Sequence, residues 1–437
     1  MTKMLRRVWQ SRAVVLSAGA GVAASVLGLA SFIRAVSHLV HVPHPIDLPQ
    51  FYVAALMFRT APGTSFYDPA AFARYCQAAG IQPALPPNYP PFAPLLFCPL
   101  SFLPFRPATV TWLLLNAALT VLFVAWAARR LPPGRKKLLI FFIWFLLLLP
   151  ATTETLLLGQ INAILGWLLV LAVECARRGG RRFDRLAGLS LGIAGAIKLW
   201  PLLLTGFFLL RRRYGVALSG IATFAVLTTA SILLVGPASA WQWYGGHLPE
   251  YGMALTQSPT PSNQSIWAVA TRLFIGGSVR GARLTATNTY DLALPALLPA
   301  RALWWLAVIG FLLATVLMLA AVTWRLPDGE HRLEERAFWA VVLGIITVLP
   351  FSWPHYAFVL IFPLVTLLSD PSVPIRHTLP LGAACLLMTL LHRFWSWLVV
   401  HPLTLSFVFL AQVTMGVALL MSIRASLARA QPIREVG

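Results

Sequence analysis

The segment RRFDRLAGLSLGIAGAIKLWPLLLTGFFLLRRR, residues 181–213, decides how this chain folds. Arginine clusters flank an apolar stretch, residues 186–210, that carries one charged residue, Lys198, close to Pro201. Arginines beside membrane segments are typical of the cytoplasmic side, so this stretch begins and ends on the same side. It therefore predicts two half-helices that meet near Lys198. Broken backbone at membrane depth needs protein or water to satisfy its polar groups, which predicts a cavity there.

Apolar residues also dominate the rest of the chain. Of its 437 residues, 58% are hydrophobic and 11% are charged, whereas soluble domains have about 45–50% and about 25%. Uncharged runs such as 13–33, 108–128 and 216–235 are long enough to cross a hydrocarbon core of about 30 Å. The sequence excludes a soluble protein and predicts an all-α polytopic membrane protein. Residues 1–437 are expected to form one integral membrane domain with about ten to twelve transmembrane helices.

The charge of the chain is strongly positive, with a formal net charge of +21. The basic residues lie in short loops and no nucleic-acid-binding motif accompanies them, so nucleic acid is excluded and anionic membrane lipids are the expected partners. The distribution of Lys and Arg places the N-terminus in the cytoplasm and predicts two long outer loops, residues 34–107 and 236–300. Within the first loop, residues 89–105 are predicted to be a proline-broken re-entrant or interfacial piece. No protein partner is inferred.

Motifs for metals and cofactors do not occur in the sequence. The four cysteines lack metal-ligand spacing, and a disulfide between Cys76 and Cys98 is left open. The chain has no phosphate-binding loop, no zinc-protease motif and no dinucleotide-binding glycine motif. The outer segments also lack the Asp-x-Asp pair with which a divalent ion would hold a sugar nucleotide. Neither a metal nor a cofactor is expected.

Asp47 is the first candidate for chemistry, because a charged residue beside a membrane helix is costly. It lies in the first outer loop and is followed by Leu48 and Pro49. A carboxylate there is suited to act as a general base. Asp before Leu-Pro equally fits the N-cap of a helix that begins near Pro49. The two interpretations are compatible and both stay open.

Polar residues at other outer turns are the further candidates. Gln160 and Asn162 are suited to hydrogen-bond sugar hydroxyls or to cap a helix. Lys198 is suited to face a phosphate or to extend its ammonium to the membrane surface. Asn263 and Gln264 form another polar cluster, with Arg272 two turns later, and Trp353 and His355 form the last one. His355 is a candidate phosphate donor or partner of the base, or an interfacial aromatic-belt residue.

Taken in order, six segments of the chain resemble family 87 glycosyltransferases, polytopic enzymes of the GT-C superfamily. They span roughly residues 40 to 370. They are Asp47-Leu-Pro-Gln-Phe-Tyr with Ser65-Phe-Tyr, Asn88-Tyr-Pro-Pro-Phe-Ala-Pro-Leu, Leu158-Gly-Gln-Ile-Asn, Ala187-Gly-Leu-Ser-Leu-Gly-Ile-Ala-Gly-Ala-Ile-Lys-Leu-Trp-Pro, Asn263-Gln-Ser with Arg272, and Ser352-Trp-Pro-His.

This resemblance implies a GT-C-type helical bundle. It also implies an inverting transfer of a hexosyl residue, with mannose as the expected sugar, from a polyprenyl-phosphate donor. The acceptor would be a glycolipid or a cell-envelope glycan on the outer face of a bacterial inner membrane. Asp47 maps to the catalytic base with His355 beside it, and Lys198 and Arg272 map to the donor phosphate. Residues mapped to the sugar or acceptor are Tyr89, Gln160, Asn162, Asn263, Gln264 and Trp353.

Other functions remain open from the sequence. The family also contains enzymes that transfer arabinofuranose, so the sugar is not fixed. A transporter or flippase for lipid-linked sugars would also have broken helices and intramembrane charge, and an assembly subunit without activity would keep the same fold. One aspartate among several cations fits transfer from a phosphate better than hydrolysis, which uses two carboxylates.

Overall fold

The structure is a computed structural model, and it is helical apart from one two-stranded ribbon. It describes residues 19, 21–31, 33, 37, 47–82, 84–256, 262–270, 277–280, 289–292, 300–323, 326–327, 329–395 and 404–430. Strand β1 (Gly277–Arg280) pairs antiparallel with β2 (Thr289–Leu292).

The helices have the following bounds in chain order. They are α1 (Gly21–Ser31), α2 (Leu48–Thr60), α3 (Pro69–Ala78), α4 (Phe92–Leu95), α5 (Phe105–Arg130), α6 (Leu138–Leu148), α7 (Pro150–Leu157), α8 (Asn162–Arg178), α9 (Arg181–Ile197), α10 (Leu204–Leu210), α11 (Tyr214–Val235), α12 (Pro237–Trp241), α13 (Leu248–Thr256), α14 (Ile266–Ala270), α15 (Ala300–Thr323), α16 (His331–Val348), α17 (Ile361–Ser369), α18 (Ile375–Trp395) and α19 (Phe407–Ala430). Short 3-10 segments are Cys98–Phe102, Pro133–Arg135, Trp200–Leu203, Pro354–Leu360 and Thr404–Ser406, and Gln242–His247 is a π-helix.

Among the residues that the structure describes, four helices are long and apolar enough to cross a membrane: α5, α11, α19 and the 305–323 part of α15. A fifth crossing results if α6 and α7, which meet at 55°, form one bent span. On α11 the side chains of Leu218, Val226 and Leu233 are 62–72% exposed, as expected for a surface that faces lipid hydrocarbon. The chain is therefore an all-α integral membrane protein, as predicted. The number of ten to twelve crossings, which would include shorter helices, stays a prediction.

The break predicted within residues 186–210 is confirmed. Helix α9 ends at Ile197, Lys198 is extended with φ −151° and ψ 119°, and a 3-10 turn containing Pro201 leads into α10. Proline favours this break because it has no backbone N–H to donate to the preceding turn. An ion pair between Arg213 and Asp184 joins the two arginine-flanked ends, so the segment returns to the end from which it starts.

Small residues let α9 and α11 approach closely. A methyl group added to Gly192 would lie 2.5 Å from the carbonyl oxygen of Gly220, and one added to Gly188 would lie 2.3 Å from that of Val216. Backbones this close leave no space for side chains, which is the usual reason for glycine at membrane helix interfaces. The contact fixes α9, and with it the position of Lys198.

The basic loops meet at one end of the bundle. Arg130 at the end of α5 pairs with Glu174 at 2.7 Å and with Glu335 at 2.6 Å, and Arg336 pairs with Asp370. These pairs join the loops that the sequence assigns to the cytoplasm. Helix α5 connects Phe105, where the first loop ends, with Arg130, and α9 connects Arg181 with Ile197, so the first loop and Lys198 lie at the ends of these helices opposite to their arginines.

The proline-rich part of the first loop packs against this opposite end. Within residues 89–105 the chain forms the four-residue helix α4 and a 3-10 turn before α5 begins at Phe105, and the placement of this piece as re-entrant or interfacial stays a prediction. Phe97 stacks on Phe51 at 4.6 Å and contacts Trp112 of α5 at 4.4 Å between ring centroids. Cys76 and Cys98 are free thiols, so the disulfide left open by the sequence does not form.

Candidate active site

Asp47 is tied to the turn that connects α7 to α8. Its backbone N–H donates to the carbonyl oxygen of Leu158 at 2.9 Å, and its Oδ2 accepts a hydrogen bond from Nε2 of Gln160 at 2.5 Å. Asp47 does occupy the N-cap position of α2, but its side chain makes no capping hydrogen bond. The capping interpretation is therefore wrong for the carboxylate, which faces the 158–160 turn instead.

This turn has a geometry that requires glycine. Gly159 has φ +71°, a value that costs glycine little and other residues more. The carbonyl oxygen of Gly159 accepts a hydrogen bond from Nε1 of Trp112 at 2.8 Å, and Gln160 N–H donates to the carbonyl oxygen of Thr155 at 3.0 Å. The turn is thus held from both sides, and it presents Gln160 to Asp47.

Lys198 lies at the break after α9, among aromatic rings. Its Nζ is 3.9 Å from the ring centroid of Tyr356 and 5.2 Å from that of Tyr89, both within range of a cation–π interaction. Among the residues that the structure describes, no carboxylate forms an ion pair with this ammonium. The charge is held by rings and by the field of Asp47, which leaves it available for an incoming anion.

Burial shifts the proton affinities of both charged groups, which lie outside the membrane-spanning helices. It raises the pKa of Asp47 to about 6, against the hydrogen bond from Gln160 and the charge of Lys198. It lowers the pKa of Lys198 to about 7, against the charge of Asp47. Groups whose pKa values lie near neutrality are suited to move a proton and to change charge under working conditions.

His355 is buried next to Lys198. Its ring is nearly parallel to that of Trp353 at 6.1 Å and edge-on to that of Tyr356 at 5.1 Å. Its backbone carbonyl accepts a hydrogen bond of 3.4 Å from Nδ2 of Asn162, and its Nε2 has no hydrogen-bond partner in the described part of the chain. The site thus contains a buried imidazole nitrogen that a ligand can satisfy.

A small cleft opens beside these groups. Its polar lining comes from Asn162, Lys198, His355 and Tyr356, and its apolar lining from Leu165, Gly166, Leu169, Trp200, Ile346, Phe358 and Val359. The predicted cavity at the helix break is confirmed. Asp47 is not among the lining residues, which corrects the expectation that one cavity is shared by Asp47, Lys198 and His355. Tyr89 connects the two parts, because its hydroxyl bonds Gln160 and its ring faces Lys198.

Asn263 and Gln264 hold backbone in place. Oδ1 of Asn263 accepts from the N–H of Ser352 at 3.0 Å, while Gln264 donates to the carbonyl of Leu405 at 2.7 Å and accepts from the N–H of Phe409 at 3.1 Å. Both side chains are buried, and these bonds give them a structural role, while their assignment to the sugar or acceptor stays a prediction. They fix the segment that carries Trp353 and His355. Arg272 lies outside the described residues.

Two features of this end were not found from the sequence. Tyr356 provides the nearest ring to Lys198, and its place directly after His355 was the available signal. Arg393 at the end of α18 pairs with Glu154 of α7, a contact between residues far apart in the chain. In the described part of the chain no three His, Cys, Asp or Glu side chains form a group that could hold a metal ion.

Comparison with known proteins identifies the family. The family model described as glycosyltransferase family 87 matches residues 88–352. The chain is 30% identical over 293 residues, 62% of its own length, to a polyprenol-phosphate-mannose-dependent alpha-(1-2)-phosphatidylinositol mannoside mannosyltransferase of Mycobacterium tuberculosis, and it spans 59% of that relative. It is 29% identical to a corresponding pentamannoside mannosyltransferase of Mycolicibacterium smegmatis, over 71% of this chain and 68% of the relative. Since the matched region covers more than half of its residues, the chain belongs to glycosyltransferase family 87.

Proposed function

We propose that this protein is a membrane glycosyltransferase that transfers a hexosyl residue, mannose, from a polyprenyl-phosphate donor to a glycolipid or cell-envelope glycan, with inversion. The activities of the two relatives, which use polyprenol-phosphate-mannose and act on phosphatidylinositol mannosides, support the donor and the acceptor class. The observation that carries the proposal is the grouping of an ionisable carboxylate, Asp47, with the ammonium of Lys198, which lines a largely apolar cleft and forms no ion pair with a carboxylate among the described residues.

Asp47 is the proposed general base. Its carboxylate takes the proton of the acceptor hydroxyl while that oxygen forms a bond to the anomeric carbon, and the bond from the anomeric carbon to the phosphate oxygen breaks. Attack opposite to the leaving group inverts the anomeric centre. Polyprenyl phosphate leaves as an anion, so no acid has to protonate it.

Lys198 is the proposed ligand of the departing phosphate. A positive charge held in place before the reaction stabilises negative charge as it develops, at no cost of reorganisation. The rings of Tyr356 and Tyr89 position the ammonium without neutralising it. We assign His355 to the same phosphate or to orientation of the acceptor, and Arg272 is the proposed second cation. Asn162 and Trp353 remain proposed contacts of the sugar or acceptor.

The cleft suits the lipid part of the donor. The apolar side chains that line it include Leu165, Leu169, Ile346 and Val359, and an apolar lining favours contact with a hydrocarbon chain over contact with water. We place this end at the outer face of a bacterial plasma membrane, because the basic loops at the other end follow the cytoplasmic distribution of Lys and Arg. Residues 34–107 and 236–300 are then the two outer loops of one domain, residues 1–437.

The experiment uses membranes that contain the full chain, radiolabelled polyprenyl-phosphate mannose and a phosphatidylinositol mannoside acceptor. Asp47→Asn is expected to lower transfer by about 10²–10⁴-fold, the usual contribution of a general base, while the protein still inserts. Asp68→Asn is the matched control, since the Asp68 carboxylate in the same loop caps α3 by accepting from the N–H of Ala71. Full activity of the Asp47 variant would contradict the proposal.

Two further arms separate the alternative functions. Transfer from polyprenyl-phosphate arabinofuranose, but not from the mannose donor, would show that the transferred sugar is arabinofuranose rather than mannose. Movement of a labelled donor across sealed vesicles without any transfer would indicate a flippase.

A further inference from the structure

Both polar atoms of the Gln160 side-chain amide form hydrogen bonds. Its Nε2 donates to Oδ2 of Asp47 at 2.5 Å, and its Oε1 accepts from the hydroxyl of Tyr89 at 2.9 Å. The residue is only 3% exposed. An amide that is buried and bonded in this way is poorly placed to meet a sugar hydroxyl, which is the role that the sequence suggests for it.

The direction of these hydrogen bonds is fixed by the chemistry of the groups. An ionised carboxylate only accepts hydrogen bonds, so the NH₂ group of Gln160 faces Asp47 and its oxygen faces Tyr89, whose hydroxyl must donate. Tyr89 is itself held, because its backbone carbonyl accepts from the hydroxyl of Tyr67 at 2.7 Å and its ring packs on Phe51 at 4.8 Å. The chain of contacts therefore ends on one carboxylate oxygen.

We propose that Gln160 and Tyr89 are positioning residues for Asp47, which rests on the function proposed above. They hold Oδ2, and Oδ1, which has no hydrogen-bond donor among the described residues, is left to take the proton of the acceptor. The backbone bond from Asp47 N–H to Leu158 fixes the same residue from its other side. A base held in one geometry reacts faster than one that samples several.

The same contact favours the charged form of the base. A hydrogen bond donated to a carboxylate stabilises its ionised form, and the bond from Gln160 opposes the burial that raises the pKa of Asp47. Without this donor the pKa of Asp47 rises further. The acidic limb of the pH–rate profile then moves to higher pH, an effect that a purely structural residue would not produce.

The first variant is Gln160→Ala, assayed for mannosyl transfer in membranes. We expect kcat to fall by about 10–100-fold, as for a misplaced catalytic group, with little change in the KM of the acceptor. The acidic limb should move to higher pH. A rise in KM with kcat and the pH profile unchanged would overturn the proposal and restore the sugar-binding role.

Tyr89→Phe tests the second link and keeps the ring beside Lys198. Loss of one neutral hydrogen bond predicts a fall in kcat of about 2–10-fold. Combined with Gln160→Ala, the tyrosine substitution should add almost nothing, because both act through one contact. Fully additive effects of the two substitutions would contradict the proposal that Tyr89 acts on Asp47 through Gln160. Tyr244→Phe is the control, since the buried hydroxyl of Tyr244 has no hydrogen-bond partner in the described structure.

Gln160→Glu guards against a folding defect, because it keeps the shape of the side chain. The introduced carboxyl shares a proton with Asp47, so the pair titrates in two steps with one apparent pKa lowered and the other raised, and this variant should be stable yet have its acidic limb displaced. An unshifted limb would overturn the positioning role. If Asp47→Asn itself retains activity, the proposed function fails, whereas loss with Asp47→Asn and no effect of the Gln160 and Tyr89 variants refutes this inference alone.

Discussion

At the scale of single residues, Asp47 and Lys198 predict a bell-shaped pH dependence. The proposed base, Asp47, can act only when deprotonated, so the rate should rise as pH increases through about 6. The proposed phosphate ligand, Lys198, can act only when protonated, so the rate should fall as pH increases through about 7. The measurement is kcat/KM against pH from 5 to 9. A profile that stays flat between about pH 5 and 8 would contradict these assignments.

The alkaline limb can be assigned to its residue. Arginine keeps its charge throughout this pH range, so Lys198→Arg should remove the alkaline limb even if the absolute rate is lower. Lys198→Met should raise the KM of the donor by about 10–100-fold, the effect of losing a charge-assisted hydrogen bond. The control is Lys136→Met at the other end of the bundle, where the ammonium bonds the carbonyl of Ala128. An equal effect of both substitutions would indicate a general charge effect.

At the scale of elements, the contact between α9 and α11 fixes the position of Lys198 in the candidate site. Gly192→Ala places a methyl group 2.5 Å from the Gly220 carbonyl oxygen, so the helices must separate, at a cost of about 1–3 kcal/mol. We expect a lower thermal unfolding temperature in detergent and weaker donor binding, because Lys198 follows α9. Gly134→Ala is the control, since a methyl there has no atom within 4 Å. Equal unfolding temperatures would show that the contact does not limit stability.

How far the sequence predicts each element depends on how local its cause is. The break at Lys198 follows from residues within the segment itself, a proline and two flanking arginine clusters, and it was predicted correctly. The hydrogen bond between Gln160 and Asp47 joins residues 113 positions apart, so no local sequence pattern predicts it. The backbone contact of Asn263 was not predicted, because the sequence alone does not distinguish an amide that binds a ligand from one that binds backbone.

At the scale of the whole molecule, the two ends of the bundle have different tasks. The end that carries Asp47 leaves Lys198 without a carboxylate ion pair among the described residues, whereas the basic end uses its charges to join helices. Arg336 of α16 illustrates this, because it bonds Asp370 and the side chains of Ser422 and Ser426 in α19. A buried charge that is paired with groups on other helices fixes which helices pack together. Removal of one partner leaves an unpaired buried charge, which destabilises the fold.

This division predicts that the basic end can be weakened without changing the chemistry. Arg336→Met leaves Asp370 buried without its closest partner, so we expect a loss of about 3–5 kcal/mol and a much lower unfolding temperature. Arg332→Met is the matched control, because Arg332 lies 3.8 Å from the same carboxylate but its side chain is 65% exposed. Exposed ion pairs contribute about 0–1 kcal/mol to stability. The transfer rate per folded molecule, measured below the unfolding temperature, should be unchanged in both variants. A specific loss of kcat in Arg336→Met with normal stability would mean that the two ends are coupled, and the basic end would then belong to the catalytic cycle rather than to the scaffold.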